Sequence, residues 1–366
     1  MTPHPAKGSP AGGVGPRLLR HRLFWPSAVL AALLLGNLAF THDFFAVHVR
    51  GDHLYGSLID ILQFGAPLIL VSLGMTLVIA TRGIDLSVGS TVAIAGALAC
   101  DHIAGSSSPG SVSTVLGAVA IALGGAVVLG LVNGMLVSRL GVQPIVATLI
   151  LMVAGRGIAQ LVSDGQIITV TSSPYKMIGG GYWLMFPFAV LLAAVIVVLT
   201  SLVTRRSALG LLIESVGGNP VASRLVGIRA AGLLVVVYVF CALCAAVAGL
   251  MISSNVSSAD GNNAGLWIEL DAILAVVIGG TALTGGRFSL GGTVLGALII
   301  QTLSTTVYTL GVPPETTLVF KAFVVIAVCL IQSPVFRAKV LGRRGPAPSR
   351  QHAEADDSPL PQEVRT

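Results

Sequence analysis

Residues 230–253 read AAGLLVVVYVFCALCAAVAGLMIS, a run of 24 residues without a charged side chain. An α-helix of this length is about 36 Å long, and the hydrocarbon core of a bilayer is about 30 Å thick, so the run predicts a transmembrane helix. Over the whole chain 54% of residues are hydrophobic and 10% are charged, whereas a soluble domain carries about 25% charged residues. This composition excludes an ordinary soluble protein.

Nine further apolar runs approach bilayer thickness. The 44 glycines suit helices that pack closely in lipid. The sequence therefore predicts an all-α membrane protein, a polytopic helical bundle of about ten transmembrane helices. The predicted spans are residues 23–40, 58–80, 84–102, 112–138, 142–163, 183–203, 230–253, 268–286, 288–310 and 315–333.

Small residues recur at four-residue spacing within several of these runs, which allows helix backbones to approach closely. We therefore expect these residues at helix–helix contacts. They are Gly130 and Gly134, Gly292 and Gly296, and the series Gly89, Ala93 and Ala97.

Lysine and arginine residues indicate which side of the bundle faces the cytoplasm. The main basic positions fall on one side when the number of crossings is even, which places both termini in the cytoplasm. These positions are the N-terminal cluster, Arg82, Arg139, the segment 205–229, Arg287 and the tail from Arg337. Residues 1–22 then form a cytoplasmic N-terminal segment, 23–336 a transmembrane domain and 337–366 a disordered cytoplasmic tail. No small-residue cleavage pattern closes the first apolar run, so an uncleaved first helix is preferred to a signal peptide. The net charge of +6 is explained by this topology better than by nucleic-acid binding.

The longest polar stretch between predicted spans is the cytoplasmic loop 204–229. Asn219 is a typical helix N-cap, Pro220 suits the first helical position, and Gly227 is typical of a helix end. An amphipathic helix outside the bilayer either docks on a soluble partner or rests on the lipid interface. The apolar residues predicted to share its face are Val221, Leu225 and Ile228.

A second local signal lies in residues 83–89, which follow one predicted span and open the next. Asp85 or Ser87 is placed to accept hydrogen bonds from the free N–H groups of the new helix. We interpret Asp85 as a capping residue, with direct substrate contact as the alternative.

Polar side chains within or beside the spans must face protein or water, since lipid offers them no hydrogen bonds. Arg156 lies deep in its apolar run and is suited either to a structural pair or to a wet path. Residues 262–271 lie on the outer side and combine amides, carboxylates and the aromatic face of Trp267, which suits a sugar or a delivering protein; ordinary loop chemistry is the alternative. The candidate substrate-path residues are Asn133, Gln143, Arg156, Gln160, Asn262, Asn263, Trp267, Glu269 and Asp271.

Motifs of membrane enzymes are missing from the sequence. No lysine follows a glycine, so the phosphate-binding string G-x-x-x-x-G-K-[ST] is absent. H-E-x-x-H, G-x-S-x-G and paired Cys/His metal spacing are absent too, which argues against a protease, a lipase-like enzyme and a metal site. Cys241 and Cys244 lie in an apolar run, where a packing role is expected.

Two strings carry a family resemblance. GMTLVIAT at 74–81, followed by GIDLSVG at 83–89, resembles the signature of ribose-type ABC importer permeases for monosaccharides. Residues 217–228, which begin GGNP, resemble the coupling helix through which these permeases contact their ATPase. The resemblance extends over residues 54–333, nearly the whole membrane domain.

Three further strings, at 146–157, 262–280 and 313–315, are similar to the galactofuranose-importer permeases. Two positions depart from the family pattern. Arg82 stands where the family usually has glycine, and Val221 stands where it often has an acidic residue. The second departure puts in doubt any polar contact with the ATPase at that position.

The resemblance implies a permease subunit, not an enzyme, which forms the path for a monosaccharide in a bacterial inner membrane. Galactofuranose is the favoured cargo, with ribose or another pentose or hexose as alternatives. The implied partners are an ATPase that binds ATP and Mg, an extracytoplasmic sugar-binding protein, a second permease chain and membrane lipid; no cofactor or metal is expected in this chain. The residues implied to contact the ATPase are Gly218, Asn219, Pro220, Ala222, Arg224, Leu225 and Gly227.

A rival function is ion-coupled secondary transport. Such a transporter needs a titratable or cation-binding cluster near the middle of the bilayer. In this sequence only Arg156 is a plausible deep charge.

Overall fold

The computed structural model describes residues 23–40, 44–50, 53–311 and 319–323, with positions 326 and 330. Described residues up to Ala322 form one compact unit, and Phe323, Ile326 and Leu330 belong to a second. The helices are α1 (Phe24–Phe40), α2 (Ser57–Ala80), α3 (Val88–Ala104), α4 (Val112–Ser138), α5 (Pro144–Val162), α6 (Ser173–Gly180), α7 (Phe188–Arg206), α8 (Ala208–Gly218), α9 (Pro220–Leu225), α10 (Ala230–Val256), α11 (Ile268–Ile278) and α12 (Leu290–Thr309).

Short strands connect several helix ends as antiparallel ribbons. Each ribbon has two strands, and the one formed by Ile167–Thr169 and Ser258–Asp260 ties the segment after α5 to the segment after α10. The strands are β1 (His48–Arg50) with β2 (His53–Tyr55), β3 (Ile167–Thr169) with β6 (Ser258–Asp260), and β4 (Tyr182–Trp183) with β5 (Phe186–Pro187).

Within the described part of the chain, six helices are long and apolar enough to cross a membrane: α2, α4, α5, α7, α10 and α12. This confirms a polytopic helical membrane protein. Helices α1 and α3, of 17 residues each, are apolar and slightly shorter. The predicted count of about ten spans is not reached among the described residues, and the tenth predicted span lies mostly outside them. The N-terminal segment 1–22 and the tail 337–366 also lie outside them.

One predicted span is wrong in length. Residues 268–286 were expected to cross the bilayer, but α11 ends at Ile278 after 11 residues, which is about 16 Å of helix. The helix stops because Gly279 is followed by Gly280 at φ +86°, a backbone conformation that a helix cannot continue through. Two other spans begin later than predicted, α3 at Val88 and α7 at Phe188, because a loop and the β4–β5 ribbon precede them.

The centre of the bundle is formed by α2 and α10. Helix α2 is buried along almost its whole length. Helix α10 packs against α2, α3, α4 and α6, and α12 packs against α2 and α11. By contrast, only three residues of α7 are buried, as expected for a helix that faces lipid.

Glycines predicted to lie at helix contacts are found there. A Cβ placed on Gly130 would lie 2.6 Å from the Cα of Val239, and one on Gly134 would lie 2.8 Å from the Cα of Val235, both on α10. Gly292 and Gly296 leave no room for a side chain against the backbone at Gly279 and Ala275. These contacts confirm that the small residues allow close backbone approach.

Replacing Gly134 with leucine is expected to lower the free energy of unfolding by at least about 1–3 kcal/mol, because α4 must move away from α10 to accommodate the new side chain. Detergent-induced unfolding of the purified protein, followed by circular dichroism, measures the loss. Gly124→Leu on the same helix is the matched control, since a Cβ at Gly124 meets nothing within 4 Å. An equal loss in both variants would contradict the packing explanation.

Candidate functional site

A cleft of about 460 Å³ opens between α2, α10, α11 and α12, at the end of the bundle that the predicted orientation places outside the cell. Most of its lining is apolar, and the aromatic rings of Phe64 and Tyr308 contribute to it. The polar residues in its lining are Gln63, Asn255, Asn263, Asp271 and Gln301. A concave site with a few placed polar groups is suited to a small ligand that forms hydrogen bonds.

The polar groups of the cleft carry little free charge. Asp271 forms an ion pair with Lys321, with 2.8 Å between the carboxylate oxygen and Nζ. Gln63 donates a hydrogen bond from Nε2 to the carbonyl of Gly179 at 3.1 Å, which fixes its amide on α2. With its carboxylate paired, the cleft presents mainly amide donors and acceptors, the groups that an uncharged hydroxylated ligand requires.

Asn263 is held at the cleft by Asp260, the last residue of β6. One carboxylate oxygen of Asp260 accepts the N–H groups of Asn262 at 2.8 Å and Asn263 at 3.2 Å, and the other accepts the Asn263 side chain at 2.8 Å. Burial alone would raise the pKa of the Asp260 carboxyl, but these hydrogen bonds outweigh burial and lower the pKa below its ordinary value. Sequence reasoning missed Asp260.

The structure brings several predicted path residues together at one loop. Arg156 on α5 donates from Nη1 to the carbonyl of Ala264 at 2.7 Å and, more weakly, to that of Gly261 at 3.4 Å. Gln160, one turn further along α5, donates to the side-chain oxygen of Asn262 at 2.6 Å. Arg156 and Gln160 therefore brace the loop that carries Asn263. Neither lines the cleft.

Two other predicted residues lie beside the cleft without lining it. Glu269 is buried against Gly89, where a side chain would collide with the carboxylate. Trp267 is 49% exposed and immediately precedes α11, in the left-handed conformation at φ +67°. The aromatic faces at the cleft belong to Phe64 and Tyr308 and not to Trp267.

Asn133 and Gln143 are not brought to the cleft. Asn133 is buried beside the loop before α3, where it donates to Ser87 Oγ at 2.8 Å. Asp85 in the same loop accepts the N–H of Ser87 at 3.0 Å and its hydroxyl at 2.6 Å, which orders the turn before α3. Neither side chain accepts a hydrogen bond from an N–H group of α3 itself, so the predicted capping role is wrong. Gln143 is exposed at the start of α5.

The predicted coupling segment forms the expected short helix. The Asn219 side chain accepts the N–H groups of Val221 at 3.1 Å and Ala222 at 3.0 Å, which confirms it as the N-cap of α9. Gly227 ends the segment at φ +84°. Val221 is 69% exposed and Leu225 is 85% exposed, so two apolar side chains point away from the rest of the chain. A hollow of about 520 Å³ adjoins them, lined by residues of α8, residues 226–229 and the start of α10.

The end of α2 lies against this segment. The N–H of Gly83 donates to the carbonyl of Val78 and the N–H of Arg82 to that of Ile79, both at 2.9 Å, which defines a Schellman motif. Arg82 occupies the position where glycine is usual, at φ +67°. This conformation costs a residue with a side chain about 1–2 kcal/mol.

A comparison of the sequence with known protein families identifies the family of this chain. The model of the family described as branched-chain amino acid transport system / permease component matches residues 57–329, most of the chain. The chain belongs to that permease family. It is thus a multi-pass protein of a bacterial inner membrane. Members of this family are transport components and not enzymes.

Relatives within this family are similar over nearly their whole lengths. The galactofuranose transporter permease protein YtfT of Escherichia coli (strain K12) is 47% identical over 89% of this chain and 95% of its own length. The fructose import permease protein FruF of Bifidobacterium longum is 41% identical over 87% and 89%. The ribose import permease protein RbsC of Escherichia coli (strain K12) is 36% identical over 76% and 85%. No solved structure gives a match.

Proposed function

We propose that this chain is the path-forming permease of an ATP-driven monosaccharide importer, with galactofuranose as its cargo. The observation that carries the proposal is that the relatives at 47%, 41% and 36% identity are all named as sugar permeases. Galactofuranose is favoured over fructose and ribose because the relative named for it has the highest of these identities over the largest share of the chain.

The geometry supports an uncharged cargo. The cleft offers amides from three helices and one loop, and its carboxylate at Asp271 is paired with Lys321. Its volume of about 460 Å³ lies within the range of ligand sites for small molecules. Residues 262–271 lie at its rim, where a sugar-binding protein would deliver the cargo.

The exposed apolar segment supports a soluble partner at the opposite end of α2. Within the part of the chain that the structure describes, Leu225 and Val221 are mostly exposed, and a docking helix requires such a face. We assign this segment, Gly218 to Gly227, to contact with a cytoplasmic ATPase that binds ATP and Mg. We also propose that a second permease chain completes the path. The proposed ten spans would place the N-terminus and the C-terminus in the cytoplasm.

Reconstitution into liposomes tests the function. The chain is combined with its candidate ATPase, permease partner and binding protein, and uptake of labelled galactofuranose, galactopyranose, fructose and ribose is measured with ATP inside. Uptake is expected to require ATP and the binding protein and to prefer galactofuranose.

Uptake that persists without ATP and is abolished by an ionophore would show that the chain is an ion-coupled secondary transporter and not part of an ATP-driven importer. ATP-dependent uptake of ribose or fructose in preference to galactofuranose would keep the importer and change the cargo.

A further inference from the structure

Arg82 connects the end of α2 to the segment before α9. Its guanidinium donates from Nε to the carbonyl of Gly217 and from Nη2 to the carbonyl of Gly218 at 2.6 Å. These two residues immediately precede Asn219, the N-cap of α9. We propose that Arg82 is a positioning residue that transmits movement of the ATPase-contacting segment to α2, and this inference rests on the function proposed for that segment.

The chemistry of the contact suits a guanidinium. The carbonyls of Gly217 and Gly218 lie at the C-terminal end of α8, where the last carbonyls of a helix have no partner within it and carry the negative end of its dipole. A planar guanidinium places two donors on two neighbouring carbonyls at once, whereas an ammonium is a point charge on a flexible stem.

Close backbone contacts make the junction rigid. The N–H of Gly286, in the loop before α12, donates to the carbonyl of Ala80 at 2.8 Å. Gly217 lies so close to the same carbonyl that no side chain would fit there. The stem of Arg82 lies over Gly285, which has φ +81°. The end of α2, the segment before α9 and the loop before α12 therefore meet at one point.

The two helices that leave this junction reach the cleft. Helix α2 carries Gln63 into the cleft lining, and α12 carries Gln301 into it. Gln63 and Arg82 are 19 residues apart, about 28 Å along a helix. A chain of hydrogen bonds and stiff helices is the physical path along which a displacement at α9 can reach the cleft.

The backbone conformation of Arg82 allows the proposed role to be distinguished from simple stabilisation of the turn. At φ +67° a glycine fits better than an arginine, so Arg82→Gly relieves an unfavourable backbone conformation while it removes both hydrogen bonds. If Arg82 only shaped the turn, the glycine variant would equal or exceed the parent in every measurement.

The test uses the complete importer in liposomes, with Arg82→Gly, Arg82→Lys and the control Arg139→Gly, which removes an exposed arginine at the end of α4. Three quantities are measured: thermal unfolding of the complex, co-purification with the ATPase, and sugar taken up per ATP hydrolysed. Arg82→Gly is expected to keep the first two at parental values and to lower uptake per ATP about three- to tenfold. Arg82→Lys should recover part of the loss, and Arg139→Gly should show none.

Parental uptake per ATP in Arg82→Gly would overturn the inference, as would a loss explained fully by lower co-purification. Failure of the unmodified chain to bind the ATPase or to transport in the same assay would instead reject the proposed function, so the two failures are distinguishable.

Discussion

Replacing Leu225 with aspartate is expected to abolish co-purification of the permease with its ATPase while the yield of membrane-inserted chain stays at the parental value. Leu225 is 85% exposed, so the chain itself loses almost no contact when this side chain changes. In the complex, a carboxylate would be buried without a partner in an apolar interface. Residues of this kind contribute about 2–4 kcal/mol to binding, which is a loss of roughly 30- to 1000-fold in affinity.

The measurement is tag-directed purification of the permease from membranes that also contain the ATPase, with the bound ATPase quantified. Leu140→Asp is the matched control, because Leu140 is 71% exposed and follows α4 on the same predicted face of the membrane. Asn219→Ala should weaken association less, since it removes only the N-cap of α9 and costs about 1 kcal/mol of helix stability. Full co-purification and normal transport by Leu225→Asp would show that this segment does not contact the ATPase.

Local signals in the sequence predicted this segment well. An N-cap, a proline at the first helical position and a terminal glycine act within a few residues, so Asn219, Pro220 and Gly227 define α9 without help from the rest of the fold. The glycines at four-residue spacing were equally informative, because close helix approach in lipid depends on side-chain size alone.

Helix ends were less predictable because hydropathy does not report backbone conformation. The apolar sequence runs on past Ile278, and only the left-handed backbone at Gly280 ends α11 early. At α3, the polar loop that precedes Val88 contains Ile84 and Leu86, so its hydropathy resembles that of a span.

The sequence predicted only some of the residues that line the cleft, because the others come together only through helix packing. Asn263 and Asp271 were expected on the path, but Gln63, Asn255 and Gln301 were missed, although a lone amide in an apolar span is itself a signal of function. They lie far apart in sequence and meet only when α2, α10 and α12 assemble. Arg156 itself was identified from the sequence, but its partners could not be predicted, because they are backbone carbonyls and these have no sequence signature.

Replacing Asn255 with tryptophan is expected to reduce sugar uptake by at least about tenfold, because an indole fills much of a cleft of about 460 Å³ and removes an amide that an uncharged sugar needs. Uptake into liposomes containing the complete importer measures the loss. Co-purification with the ATPase should be unchanged, since Asn255 and α9 lie at opposite ends of the bundle. Val195→Trp is the control, because Val195 is 54% exposed on α7 and does not line the cleft.

A second variant separates a blocked path from a misfolded helix. Asn255→Leu nearly preserves the volume of the side chain and removes only its hydrogen bonds, so uptake should fall by about two- to tenfold, the effect of one net hydrogen bond. The apparent affinity of the importer for loaded binding protein should not change, because the cargo meets Asn255 after docking. If both variants transport at the parental rate, the cleft is not on the path; if Asn255→Leu is normal and Asn255→Trp is inactive, the cleft is a passage that does not recognise its cargo.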